Sequence, residues 1–146
     1  MIKPAASPLA ALLAQLALLA LLVSPCSLGC GGPLRRTLAL DPSLEGARGR
    51  LQVEPIEGET RLLTLVIEGL PPPRLEGGYV AWLLDADGET ARRASLRYAP
   101  ADRAARAHLI ADPGAFTLLI TAEPRPGTER AEGAILARHP LAPTNP

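Results

Sequence analysis

Asp85-Ala86-Asp87-Gly88-Glu89 places three carboxylates within five residues, the arrangement in this chain closest to a metal loop. A calcium loop needs a continuing series of oxygen ligands and a bidentate acid near its twelfth position. Counted from Asp85, the twelfth residue is Leu96. Asp followed by Gly is turn chemistry, and the segment is read as the turn of a hairpin. The two histidines, His108 and His139, stand apart. His108 lies between Ala107 and Leu109 in an expected strand, and His139 precedes Pro140. Neither has Cys or a second His at ligand spacing, so no metal site is expected. Ser43 and Ser95 lack the Gly-x-Ser-x-Gly setting of an activated nucleophile. Glu123, beside Pro124, is a lone acid with no evident partner carboxylate. Catalysis requires a positioned set of groups. The expectation is therefore a protein that is not an enzyme and uses no cofactor.

The remaining reactive side chains, Cys26 and Cys30, both sit in the first thirty residues. They lie four apart without His nearby, which is not a zinc pattern. Met1 and Lys3 supply positive charge, and no acid appears before Asp41. Leu9 to Val23, 15 residues, is almost wholly Leu and Ala, broken by Gln15. A charged start, a short apolar core and small residues before a break make a secretory signal. Ser27-Leu28-Gly29-Cys30 resembles a bacterial lipobox, with cleavage after Gly29 and lipid on Cys30; Ser27 stands where that pattern usually has Leu. Pro25 should block the same event at Cys26. Two alternatives remain open: a retained anchor, although the apolar core is shorter than the ~20 residues of a spanning helix, and plain secretion. All three readings place the working domain outside the cytoplasm, and lipidation or a retained anchor attaches it to the bacterial cell membrane.

Cleavage before Cys30 leaves 117 residues, enough for one domain. That domain has no disulfide and must be held by its core alone. Lys and Arg number 15, as do Asp and Glu, so the net charge is zero and no nucleic-acid partner is expected. Trp82, Phe116, Tyr79 and Tyr98 are too few for a stacking platform. Trp82 is read as a core residue packed between sheets. Arg92, Arg93, Arg103 and Arg106 are read as solvated strand or loop faces.

The elements that would position these residues are short strands. Leu38 and Leu40 alternate with Thr37 and Ala39; Leu51 and Val53 alternate with Arg50 and Gln52. In Arg61 to Glu68, Leu63, Leu65 and Ile67 share one face while Leu62, Thr64 and Val66 share the other. Apolar residues on both faces predict a central strand. Gly69 to Pro73 ends it, because proline cannot donate to a ladder; the proline run is a stiff connection or, alternatively, bait for a partner. Tyr79 to Leu84, Ser95 to Tyr98, Phe116 to Ala122 and Ala134 to Ala137 read as further strands. Ala105 to Ile110 fits a strand or a short helix. Seven or eight short strands with frequent turns predict an all-β fold, an Ig-like antiparallel β-sandwich preceded by an N-terminal hydrophobic signal or anchor helix.

Three blocks, Gly46 to Pro73, Gly77 to Thr90 and Gly114 to Leu136, follow one another in the order and spacing of a known family. They resemble the extracytoplasmic C-terminal domain of anti-sigma-K factors. Leu70 and Pro71 match a strand ending in Gly-Leu-Pro. Tyr79, Trp82 and Leu83, with Asp85 in the acidic turn, match a Tyr-x-x-Trp-Leu strand. Thr121, Glu123 and Pro124 match a strand ending in Thr-x-Glu-Pro, and Gly127 a Gly-rich loop after it. Val80 replaces a frequent Gln, and Ala131-Glu132-Gly133 replaces a frequent Pro.

The resemblance implies a non-catalytic regulator of sigma-factor-dependent transcription, acting by sensing or by protein contact. Typical members also carry a cytoplasmic helical domain that grips the sigma factor. Only eight residues precede Leu9. No direct sigma-factor contact is expected, so the effect would pass through an envelope or membrane protein partner; a truncated gene start is the other reading. A structural or small-ligand-binding lipoprotein is the alternative function. The expected organisation is a signal or anchor at 1–29, a tether at 30–36, the β domain at 37–141 and a disordered tail at 142–146.

Overall fold

The computed structural model describes residues 32–125 and 127–143. The expected leader helix and the lipidation candidate Cys30 lie outside them. Eight strands follow in order: β1 (Leu34–Leu38), β2 (Arg48–Pro55), β3 (Arg61–Glu68), β4 (Gly78–Leu84), β5 (Thr90–Ala99), β6 (Ala104–Ala111), β7 (Phe116–Glu123) and β8 (Ala134–Leu141). β1 begins at Leu34, so Leu34 to Arg36, expected in the tether, pair with Leu51 to Val53.

All neighbours are antiparallel, in the order β1-β2-β3-β6-β5-β4-β7-β8. A bridge between Leu40 and Ala137, with Asp41 N–H donating to the Leu136 carbonyl at 2.7 Å, brings the two ends together. The result is a nearly closed, barrel-like sheet. β5 turns its corner: Thr90 to Leu96 pair with β4, whereas Arg97 to Ala99 pair with β6.

Alternation decides which side chains face inward. Leu63, Leu65 and Ile67 of β3 are fully buried, while Leu62, Thr64 and Val66 are half-buried on the outer face. β3 lies between β2 and β6, as the two apolar faces predict. The ambiguous alanine-rich segment is strand β6. Ala105 sits opposite Ile67 and Ala107 opposite Leu65, so small residues face large ones across the ladder. A register shift at Ile120/Thr121 lets both Leu136 and Ala137 enter the core.

A charged side chain is buried in the inward row as well. Arg61 heads the inward row of β3 and is 4% exposed. Its Nη1 donates to the Ala142 carbonyl at 3.0 Å and its Nη2 to the Gly114 carbonyl at 2.7 Å. It thereby ties the chain after β8 to the β6–β7 turn. Ala142, expected in the frayed tail, is one of its partners.

Candidate functional site

The motif residues assemble around β4 and β7. These strands pair with Gly78 opposite Glu123, Val80 opposite Thr121 and Trp82 opposite Leu119. Directly opposed residues share a face, so all six lie on the outer side of the sheet. Trp82 is fully buried there, in a small cluster with Val80 and Leu119 that is separate from the main core. This corrects the expected placement between sheets. A strand buried on both faces reads the same whichever face meets the core.

The β7–β8 connection encloses that face. Arg93, directly opposite Trp82, donates through Nη1 to the Thr128 carbonyl. Further along, the Glu132 N–H points at the Glu123 carboxylate, at 3.3 and 3.2 Å from its two oxygens. Gly133 makes this return possible: a Cβ there would lie 2.0 Å from the Ala122 carbonyl oxygen. Only glycine permits so close an approach.

Behind the connection runs a directed chain of hydrogen bonds. Trp82 Nε1–H donates to Thr121 Oγ1 at 2.8 Å, and that hydroxyl donates to Glu123 Oε1 at 2.5 Å. Trp82 and Thr121 are fully buried and Glu123 is 3% exposed. Buried polar groups are costly unless bonded; here each finds its partner in another motif residue or in the connection. No cation lies within ion-pair distance of Glu123 among the described residues.

The first motif block joins from the inner side. Tyr79 Oη donates to the Pro71 carbonyl at 2.6 Å. Tyr98 Oη donates to the Leu70 carbonyl at 3.1 Å, and the Leu70 N–H donates to the Arg103 carbonyl at 3.0 Å. The two tyrosine rings are tilted at 53° with centroids 6.0 Å apart. Burial, with a smaller contribution from Tyr98, raises the Tyr79 hydroxyl above its ordinary pKa. Leu70 is fully buried in the core. Its neighbours Pro71, Pro72 and Pro73 form one wall of a cleft of about 400 Å³. Tyr79 and Glu123 line it from the strands, joined by Pro124 just after β7 and by Glu132 and Gly133 of the β7–β8 connection.

The other candidates sit elsewhere. Leu83 is in the main core. Asp85 is in the β4–β5 turn, where its carboxylate accepts the N–H groups of Asp87 and Glu89 at 3.0 Å each. Gly88, at φ 83°, supplies the left-handed position that turn requires. Gly127 is exposed in the connection, and a Cβ there would meet nothing within 4 Å. Ser43 Oγ–H donates to Asp41 Oδ1 at 2.5 Å, and this bond with the Ser43 N–H holds the Asp41 carboxyl below its ordinary pKa. His108 is exposed beside Thr64 Oγ1 at 3.2 Å. His139 is half-buried with Nε2 unpartnered, and burial together with the Arg36 charge lowers its pKa. Among the described residues no three His, Cys, Asp or Glu side chains converge as a metal site would require.

Sequence reasoning missed Arg61 and the role of Arg93, which reads as a solvated charge. The cues were present but weak: each is an arginine within a strand. No protein-family model, curated protein or solved structure matches the chain.

Proposed function

We propose that this chain is a non-catalytic, membrane-attached extracytoplasmic domain of anti-sigma-K type. It is held by lipid on Cys30 or by its N-terminal helix. It acts by sensing or by contact with an envelope or membrane protein, and affects sigma-dependent transcription only through that partner. In this reading the nearly closed sheet is a flattened Ig-like sandwich, with β5 as the strand that passes between its two layers.

The observation that carries the reading is convergence. Pro71, Tyr79, Glu123 and Pro124, drawn from three separate motif blocks, frame one cleft, with Trp82 and Thr121 bonded behind it. The buried polar side chains Arg61, Thr121 and Glu123 are engaged in holding the fold, which fits binding more than catalysis. The cleft also favours a second reading, a structural or small-ligand-binding lipoprotein, because pockets of this volume suit small molecules.

The test is genetic and biochemical. Deleting the gene should change a defined set of sigma-dependent transcripts, and a copy carrying Arg74→Ala and Pro124→Ala, at exposed positions of the cleft lining, should fail to restore them although it accumulates normally. Unchanged transcripts in the deletion strain would sink the regulatory reading. Saturable small-molecule binding to the cleft, without any transcriptional effect, would favour the second.

A further inference from the structure

The sheet stops short of closing, and a proline stands where the next bond would form. β1 and β8 meet at the Leu40–Ala137 bridge, beside the bond from Asp41 N–H to the Leu136 carbonyl. Beyond it they diverge. Carried on, that register would set Thr37 opposite Pro140. Successive residues of a strand aim their N–H and C=O to alternate sides, so Pro140 faces β1 as Leu136 does. Proline has no N–H to donate, and Thr37 finds no donor there. The next pair would use Ala142, whose carbonyl is already held by Arg61 Nη1.

The outer edge of β1 is therefore open. Ile56 N–H donates to the Thr60 carbonyl at 2.9 Å, and the β2–β3 register continues from there without a shift. The even-numbered residues of β2 thus bond to β3, and Gly49, Leu51 and Val53 bond to Leu38, Arg36 and Leu34 of β1. The N–H and C=O of Arg35 and Thr37 point the other way. Among the described residues no backbone group meets them.

Side chains at the seam supply a second observation. Arg36 belongs to the inward row of β1, between Leu34 and Leu38, yet it is exposed at the open edge. Across the seam, His139 lies opposite Leu118 of the core, on the inward face of β8. Its Nε2 is buried without a partner, and the Arg36 charge acts on the ring. Neither β1 nor β8 contains Asp or Glu. No carboxylate lies within ion-pair distance of Arg36 or His139 among the described residues.

We propose that the β1 edge receives an extended acidic segment of a partner protein as an added strand. Main-chain bonds to Arg35 and Thr37 hold it. Its inward side chains lie beside Leu34, Arg36 and Leu38. An Asp or Glu at the middle position brings a carboxylate to Arg36 and His139, the partner both lack. A second copy of this chain is the poorer occupant, because it would set Arg35 and Arg36 against themselves, and opposed like charges destabilise a sheet. This assignment rests on the protein-contact part of the proposed function and gives that contact a place apart from the cleft.

The test titrates the full chain in nonionic micelles with the capped peptide Thr-Val-Thr-Glu-Thr-Val-Thr, whose Val, Glu and Val share one face, and with its glutamine counterpart. NMR follows amide shifts, hydrogen exchange and the His139 ring. The glutamate peptide should protect the Arg35 and Thr37 amides and shift the His139 signals. The glutamine peptide should bind roughly tenfold more weakly, the loss expected for one hydrogen bond to a charged group. Arg36→Gln should weaken the glutamate peptide to the same extent and leave the glutamine peptide unchanged. Thr37→Pro removes one edge N–H without touching the β2 ladder and should abolish binding of both peptides; Arg36→Gln, at an exposed position, carries the test if the proline variant does not fold. No saturable shift at millimolar peptide, protection elsewhere, or equal binding of the two peptides would overturn the proposal. Protection of the same two amides that rises with protein concentration alone would make the occupant a second copy and overturn the acidic partner. Edge binding with unchanged transcripts in the deletion strain sinks the regulatory reading alone, and changed transcripts without edge binding sink the added strand alone.

Discussion

Thr121→Val removes one hydroxyl from the centre of the buried chain while keeping the side chain's shape. Two bonds are lost, because Thr121 Oγ1 accepts from Trp82 at 2.8 Å and donates to Glu123 at 2.5 Å. The Trp82 N–H is then left unpaired in a fully buried site, at a cost of about 1–3 kcal/mol. The carboxylate also loses its shortest donor, and a hydrogen bond to such a group contributes about 1.5–3 kcal/mol. The expected destabilisation is about 3 kcal/mol, a large part of the stability of a domain this size. Thr121→Ser keeps the hydroxyl and removes one methyl group, so it should cost only about 1 kcal/mol. Urea unfolding of the full chain in nonionic micelles, followed by tryptophan fluorescence, measures both. Trp82 is the only tryptophan, so the signal reports the affected site. If the valine variant loses less than about 1 kcal/mol, or no more than the serine variant, the buried hydrogen bonds of Thr121 do not stabilise the fold.

Gly133→Ala should destabilise the domain by more than about 2 kcal/mol, because its Cβ would overlap the Ala122 carbonyl; Gly127→Ala should stay within about 0.5 kcal/mol, and unfolding midpoints compare the two. His139 has a pKa lowered by burial and by Arg36, so the unfolded chain takes up its proton first as pH falls. Its contribution to stability is complete above the unfolded value near 6.5 and declines below it. Thermal midpoints at pH 7.5 and 5 should therefore differ, and the difference should shrink in His139→Gln. The raised pKa of Tyr79 has the opposite sense: its contribution is present below the ordinary value of 10.0 and is lost as pH rises through the folded value. Tyr79→Phe should cost about 1 kcal/mol at neutral pH through the lost bond to Pro71. It should also flatten the alkaline decline seen by absorbance-monitored unfolding.

Much of the strand content is written in local pattern. The run of leucine and β-branched residues in β3, apolar on both faces, identifies its conformation and points to a central position, and the chemistry of Asp85 to Gly88 identifies a hairpin turn. Neither depends on distant residues, since side-chain alternation and turn geometry are properties of the local backbone. The alanine-rich stretch at Ala104–Ala111 has no such signature. It becomes a strand because β3 offers a full-length partner whose large inward residues need small ones opposite.

The candidate site divides along the same line. Period two alone puts Thr121 and Glu123 on one face of β7, and Val80 and Trp82 on one face of β4. It does not say that these two faces coincide, nor that they lie outside the barrel. That follows from the register between the strands and from the return of the β7–β8 connection, made possible where Gly133 lies against Ala122. The inward position of Arg61 likewise depends on two carbonyls 53 and 81 residues away. Backbone conformation is set by neighbours in sequence, whereas the burial and bonding of a polar side chain are set by whatever the closed sheet brings beside it.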